Sequence, residues 1–199
     1  MDQSFIECVS PLLEPGLHII SGAPGSGKSQ VALVAAADLY LNVGRSMAYI
    51  GLDLTGDLLL HRLRRLDLPE DQVRNIIAGC VRLPEMPRDP DAALNHLDAI
   101  LAVHDFVFIE LIERLPWTEP GSQLSALLTT FNKTIVLMTQ SRDVVLRSGV
   151  PKDSVSHAAT SIWSVMRSAS DDEDVGIEVT CLKNRFHDPK GLGFSLPLP

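Results

Sequence analysis

The run Gly22-Ala23-Pro24-Gly25-Ser26-Gly27-Lys28-Ser29 satisfies G-x-x-x-x-G-K-[ST] and constrains the fold more than any other feature of the sequence. The pattern carries meaning only when a strand enters it and a helix leaves it. Both flanks are present. Leu17-His18-Ile19-Ile20 reads as a short buried strand, and Gln30 to Tyr40 is an Ala-rich run that predicts a helix with apolar residues on its sheet-facing side. A glycine-rich turn opening into a helix presents backbone N–H groups and the positive end of the helix dipole to one point, which suits the oxygens of a phosphate chain. In such a loop Lys28 reaches the β- and γ-phosphates and the Ser29 hydroxyl ligates Mg²⁺. The alternative is a chance Gly/Ser turn before a helix.

Apolar runs alternate with helical ones along the chain, so the expected class is α/β with a largely parallel central sheet. At 199 residues and 45% hydrophobic composition, a single domain spanning 1–199 with one sizeable core is expected. No apolar stretch reaches the length needed to span a bilayer, and Met1-Asp2-Gln3-Ser4-Phe5-Ile6-Glu7 is acidic where a signal peptide is basic. A soluble, cytoplasmic protein without a membrane partner is therefore expected. Cys8, Cys80 and Cys181 are widely spaced and odd in number, which indicates neither a disulfide framework nor a zinc site. A formal net charge of -8 argues against a surface that grips nucleic acid all over, although a local basic groove is compatible with it.

The periodicity predicts further strands at Ser46 to Leu52, Cys80 to Leu83, Phe106 to Ile109 and Thr134 to Met138, with helices at 56–66, 67–77, 91–103 and 123–131 between them. Phe106-Val107-Phe108-Ile109 ends at Glu110, as a central parallel strand ends at the active edge of such a sheet. The next apolar run ends at Thr139-Gln140. Residues 141–160 read mostly as loop. Ser161 to Arg167 and Gly176 to Leu182 then alternate like antiparallel strands around the acidic turn 171–174, and a last short strand is expected at Leu192 to Leu196.

This ordered set of residues resembles the RecA-like ATPase core, especially its DnaB, RadA and KaiC branch: the glycine loop, an acid after the second strand, an acid-ended apolar strand, a Gln-ended strand and a terminal Lys-x-Arg hairpin. The likeness extends over almost the whole chain, and Leu182-Lys183-Asn184-Arg185-Phe186 through Gly191 is very like the K-N-R-x-G hairpin of that branch. His187-Asp188-Pro189 departs from the usual glycine after the aromatic. The resemblance implies a three-layer αβα fold with C-terminal antiparallel strands, and ATP with Mg²⁺ as ligands. It further implies a catalytic set at Asp53, Glu110, Gln140, Lys183 and Arg185, with Gly22 to Ser29 around the phosphates and Ser29 and Glu110 toward the metal. Asp53 stands where the family has a Glu that orients the attacking water, or else it caps the following helix. Glu110 stands where the family has an Asp. The two carboxylates thus depart from the pattern in opposite directions.

Lys183 and Arg185, on alternate residues of a strand, project from one face. In the family such a pair reaches a neighbouring subunit's γ-phosphate, which implies a homo-oligomer, ring or filament, with composite sites; the other reading is a solvated basic edge strand. The loops after Glu110 and Gln140 correspond to the family's DNA-facing loops and hold Arg114, Trp117, Arg142, Arg147 and Lys152, residue types that suit backbone neutralisation and base stacking. Two functions follow from the resemblance. One is an ATP-hydrolysing oligomer that acts on single-stranded DNA with partner proteins of recombination, repair or replication. The other is a low-turnover, nucleotide-dependent scaffold or regulatory subunit.

Overall fold

A computed structural model of the protein describes residues 14–51, 56–64, 68–83, 86–110, 115–140, 154–168, 176–186, 188–190 and 192–197. Eight strands among these residues form one sheet: β1 (Gly16–Ser21), β2 (Met47–Ile50), β3 (Cys80–Leu83), β4 (Phe106–Ile109), β5 (Thr134–Thr139), β6 (Ser161–Ser168), β7 (Gly176–Asn184) and β8 (Gly193–Pro197). Their spatial order is β3-β2-β4-β5-β1-β6-β7-β8. The first six are mutually parallel, and β7 and β8 each run antiparallel to the strand before them.

Six helices among the described residues connect the strands: α1 (Lys28–Asp38), extended by a π-helical turn at Leu39–Val43, α2 (Gly56–Arg64), α3 (Glu70–Gly79), α4 (Pro90–Val103), α5 (Pro120–Phe131) and α6 (Ser154–Ala158). Alternation along the strands divides them into two layers. Ile20, Met138 and Trp163 share one core with Val31 of α1, Leu59 of α2 and Val73 of α3. Leu17, Ile19 and Leu137 share the other with Leu97 of α4, Leu124 of α5 and Val155 of α6. The fold is therefore the expected three-layer αβα, with strands buried on both faces and correspondingly continuous in apolar residues. Each fully buried Leu, Ile or Val contributes roughly 1.5–3 kcal/mol, so the two cores rather than local propensity fix the sheet.

Differences from the sequence reading have local causes. α1 is buried nearly all round, not on one side, because β7, β8, α2 and α3 supply the rest of its core. Its alanines let these neighbours approach. α5 begins at Pro120, earlier than Gln123, since proline at the first helical position needs no N–H partner. β7 continues through Lys183 to Asn184 along β6, while β8 covers only its first half, so Lys183 stands on a stretch of β7 that β8 leaves uncovered. Residues 154–158 form a helix where loop was expected. A single turn does not nucleate by itself; α6 is held by burial of Val155 and by the capping of its carbonyls described below.

A buried polar chain ties β1 to β6. Trp163 donates its indole N–H to Ser161 Oγ at 2.7 Å, Ser161 Oγ lies 2.7 Å from His18 Nδ1, and His18 Nε2 lies 2.9 Å from the Glu14 carbonyl. Indole N–H is only a donor and a carbonyl only an acceptor, so a neutral His18 carries its proton on Nε2 and accepts from the Ser161 hydroxyl at Nδ1. Burial pushes this imidazole down to about 4.

Candidate functional site

The carboxyl ends of β1, β4 and β5 lie side by side at one edge of the sheet, the edge where parallel α/β sheets bind ligands. Because β5 lies between β1 and β4, the glycine loop and Glu110 face each other across the end of β5, where Gln140 follows Thr139.

The loop's shape rests on its glycines. Gly25 (φ 74°) and Gly27 (φ 99°) are both left-handed. A Cβ on Gly27 would come within 2.5 Å of Ile177 Cδ1, while one on Gly22 would run into the Val165 carbonyl oxygen. β6 and β7 therefore form the wall behind the loop. Gly27 is also the N-cap of α1 and gives it no side-chain cap, so the helix opens toward the loop without a competing side-chain acceptor.

Lys28 is only 8% exposed, and its ammonium donates to the carbonyls of Gly22 and Ala23, each at 2.8 Å. The side chain is curled across the loop it belongs to, with its charge held at the centre of the curve. Beside it the Ser29 hydroxyl donates to Glu110 Oε1 at 2.6 Å. Glu110 Oε2 is buried and has no hydrogen-bond partner among the described residues. A hydroxyl oxygen, one carboxylate oxygen against it and a second with no partner form an oxygen donor set that suits a hard divalent cation. The glycine cradle and Lys28 suit the phosphates that such a cation bridges. The residues present therefore fit Mg²⁺ with a nucleoside triphosphate.

The remaining predicted residues distribute unevenly. Gln140 stands at the end of β5 beside this edge. Asp53, Arg114, Arg142, Arg147 and Lys152 lie outside the described residues. Trp117 corrects the expectation of an aromatic offered to bases. It is 7% exposed, belongs to the core of the α4–α5 layer and donates its indole N–H to the Pro90 carbonyl at 3.0 Å. A ring so little exposed is not a stacking platform.

Lys183 and Arg185 lie at the opposite edge of the sheet. Asn184 pairs with Ser161, which is level with His18 on β1, so three to four residues of strand, roughly 10–13 Å, separate this pair from Gly22. Their heads turn away from the glycine loop. Lys183 Nζ donates to the carbonyls of Ser156 (2.7 Å) and His157 (3.4 Å), and Arg185 Nη2 donates to the His157 carbonyl. Burial, and secondarily the Arg185 guanidinium, lowers the Lys183 ammonium below the usual lysine range. This use of α6 is invisible in the sequence, because backbone carbonyls carry no residue signature. The same holds for the Gly22 and Ala23 carbonyls that hold Lys28.

No family model matches the chain, and no curated protein does. Among solved structures, the flagellar accessory protein FlaH from Methanocaldococcus jannaschii superimposes with a TM-score of 0.66 over 92% of this chain and 86% of that one. The fold is RecA-like. At 17% identity the likeness shows the fold alone. A RecA-like sheet nevertheless gives the site residues their placement: Ser29, at the start of the helix that follows β1, and Glu110, at the end of β4, arrive at one point although β1 and β4 are not neighbours.

Proposed function

We propose that this RecA-like chain binds ATP with Mg²⁺ and hydrolyses it in composite sites between copies of itself. The observation that carries the reading is the Ser29–Glu110 contact beside the buried Lys28 ammonium. The loop from Gly22 to Gly27 would wrap the phosphates with the backbone N–H groups of its residues other than Pro24, which shapes the turn and has no N–H, and Lys28 would exchange two neutral carbonyls for charged oxygens, the stronger partners. Ser29 and Glu110 would hold Mg²⁺, which when bound neutralises charge on the phosphate oxygens. Asp53 is the residue assigned to orient the attacking water, and Gln140 the one assigned to respond to the γ-phosphate.

The position of Lys183 and Arg185 supports the composite arrangement. On the edge opposite the glycine loop they are out of reach of their own site, and a head-to-tail neighbour would bring them to the next one. Closed rings and open filaments both satisfy such a heterologous contact. No helix among the described residues is long and apolar enough to cross a membrane.

Single-stranded DNA is proposed as the polymer on which turnover acts, through Arg114, Arg142, Arg147 and Lys152, with partner proteins of recombination, repair or replication. The burial of Trp117 removes the one aromatic from that surface and favours a second reading, a nucleotide-dependent assembly subunit with little turnover. The deciding experiment measures ATP binding and steady-state hydrolysis with and without single-stranded DNA, beside Lys28→Ala and Arg185→Ala. A DNA-stimulated rate lost in both variants supports the first reading. Binding without DNA-dependent turnover supports the second, and no binding by the unaltered protein overturns both.

A further inference from the structure

The contacts of Lys183 and Arg185 with α6 leave the two cations committed to their own chain. α6 is a helix of one turn. Its Val155 carbonyl accepts from the Ala159 amide at 2.9 Å, and the Ser156 and His157 carbonyls, which have no place to go in so short a helix, accept from Lys183 and Arg185. Cations suit a helix C-terminus, where the dipole is negative. The strand that carries them is anchored at the same spot. Arg185 donates its amide to the Thr160 carbonyl at 3.0 Å, and Thr160 donates its own to the Leu17 carbonyl at 2.6 Å. Arg185 and Ala158 also line a cavity of about 240 Å³ bounded by Leu128 and Asn132 of the α5 end. The pair is thus a structural cap for α6, and Arg185 is also part of the wall of that cavity.

We propose that Lys183 and Arg185 are a latch with two exclusive partners: the carbonyls of α6 in the free protomer, and the terminal phosphate of a nucleotide on an adjacent copy in the assembly. This deepens the composite-site reading and rests on it. The exclusivity is physical. A phosphate oxygen is a charged acceptor and forms hydrogen bonds about twice as strong as a neutral carbonyl does. Two adjacent cations also repel each other, and burial already depresses the Lys183 ammonium, so a dianionic partner relieves both. Once the cations leave, α6 loses the groups that satisfy its last carbonyls, and one turn has too little intrinsic stability to persist uncapped. ADP lacks the terminal phosphate and leaves the latch on α6. Each protomer would then report at α6 the nucleotide held by its neighbour.

The test is hydrogen exchange at the Ala159 amide, whose bond to the Val155 carbonyl reports the α6 turn. It is read in the free protein, with Mg·ADP, and with a non-hydrolysable Mg·ATP analogue, while light scattering follows assembly. The expected result is about a tenfold loss of protection with the ATP analogue, in the assembled protein only, the scale set by loss of one capping interaction. Arg185→Gln should show that loss without nucleotide and little further change with it. Lys183→Gln provides the same reading if the arginine variant does not fold. Assembly with unchanged or increased Ala159 protection overturns the latch and leaves the composite site standing. Failure of the ATP analogue to bind or to assemble the protein overturns the composite site and the latch together.

Discussion

Ser29 Oγ donates to Glu110 Oε1 at 2.6 Å, across 81 residues of sequence, joining the start of α1 to the residue that follows β4. In the absence of a cation this bond holds the carboxylate against the start of α1. With Mg²⁺ bound, the same two oxygens would become ligands. Ser29→Ala should therefore raise the Kd for ATP about tenfold in Mg²⁺, the scale of a hydrogen bond to a charged group, and leave the Kd in excess EDTA unchanged. Titration calorimetry in both conditions checks it. A Mg²⁺ dependence unaltered in Ser29→Ala would remove this residue from the metal site.

The glycines of the loop differ in what they tolerate. A methyl on Gly25 meets nothing within 4 Å and suffers only from its positive φ, so Gly25→Ala should cost about 1 kcal/mol. Gly22→Ala drives a carbon into the Val165 carbonyl, a backbone atom of β6, and should cost about 2 kcal/mol or more. Urea unfolding of the nucleotide-free variants tests the order. Equal midpoints for the two would contradict it.

His18 makes stability depend on pH. Its folded value is about 4, against 6.5 ordinarily, with burial as the main cause. The group titrates lower in the folded protein, so between these values the unfolded chain binds a proton that the folded one does not. Its contribution is complete above pH 6.5 and is lost as pH falls toward 4, by up to ~3 kcal/mol. His104, lowered chiefly by burial, adds to the same slope. The Asp105 carboxyl, held down by Lys133, acts in a separate window below its ordinary 3.8. Urea midpoints between pH 7.5 and 4.5 should fall less steeply in His18→Gln than in the unaltered protein; parallel profiles would exclude His18 as the source.

Trp117 should behave as a core residue. Trp117→Ala is expected to cost about 3–5 kcal/mol, and Trp117→Phe, which keeps most of the packing and loses the bond to Pro90, about 1 kcal/mol. Thermal unfolding measures both. A folded, undiminished Trp117→Ala that had lost affinity for single-stranded DNA would return the indole to the surface role.

Much of the candidate site is local in sequence, and the elements expected to flank it form. Gly22 to Ser29 is contiguous, its flanking strand and helix are periodic, and Phe106 to Ile109 is a strand with the bounds its composition announces. Trp117 is the instructive failure. An aromatic among polar and proline residues reads as exposed, yet α4 and α5 close over it, because burial is decided by elements outside the segment that carries the residue. α6 went unseen for the complementary reason: a five-residue helix has no period to detect.

The sequence by itself determined the chemistry available: a glycine loop fit for phosphate, a lysine and a serine behind it, an acid at the end of an apolar strand and a paired Lys183 and Arg185. Periodicity and residue type are properties of short stretches, and short stretches fix these. The tertiary structure decided which of them meet. Strand order brings Glu110 to Ser29 and keeps Lys183 and Arg185 at the far edge, on the carbonyls of α6. Contacts between backbone groups and residues tens of positions apart have no signature in any one segment; they exist only once the sheet has chosen its order.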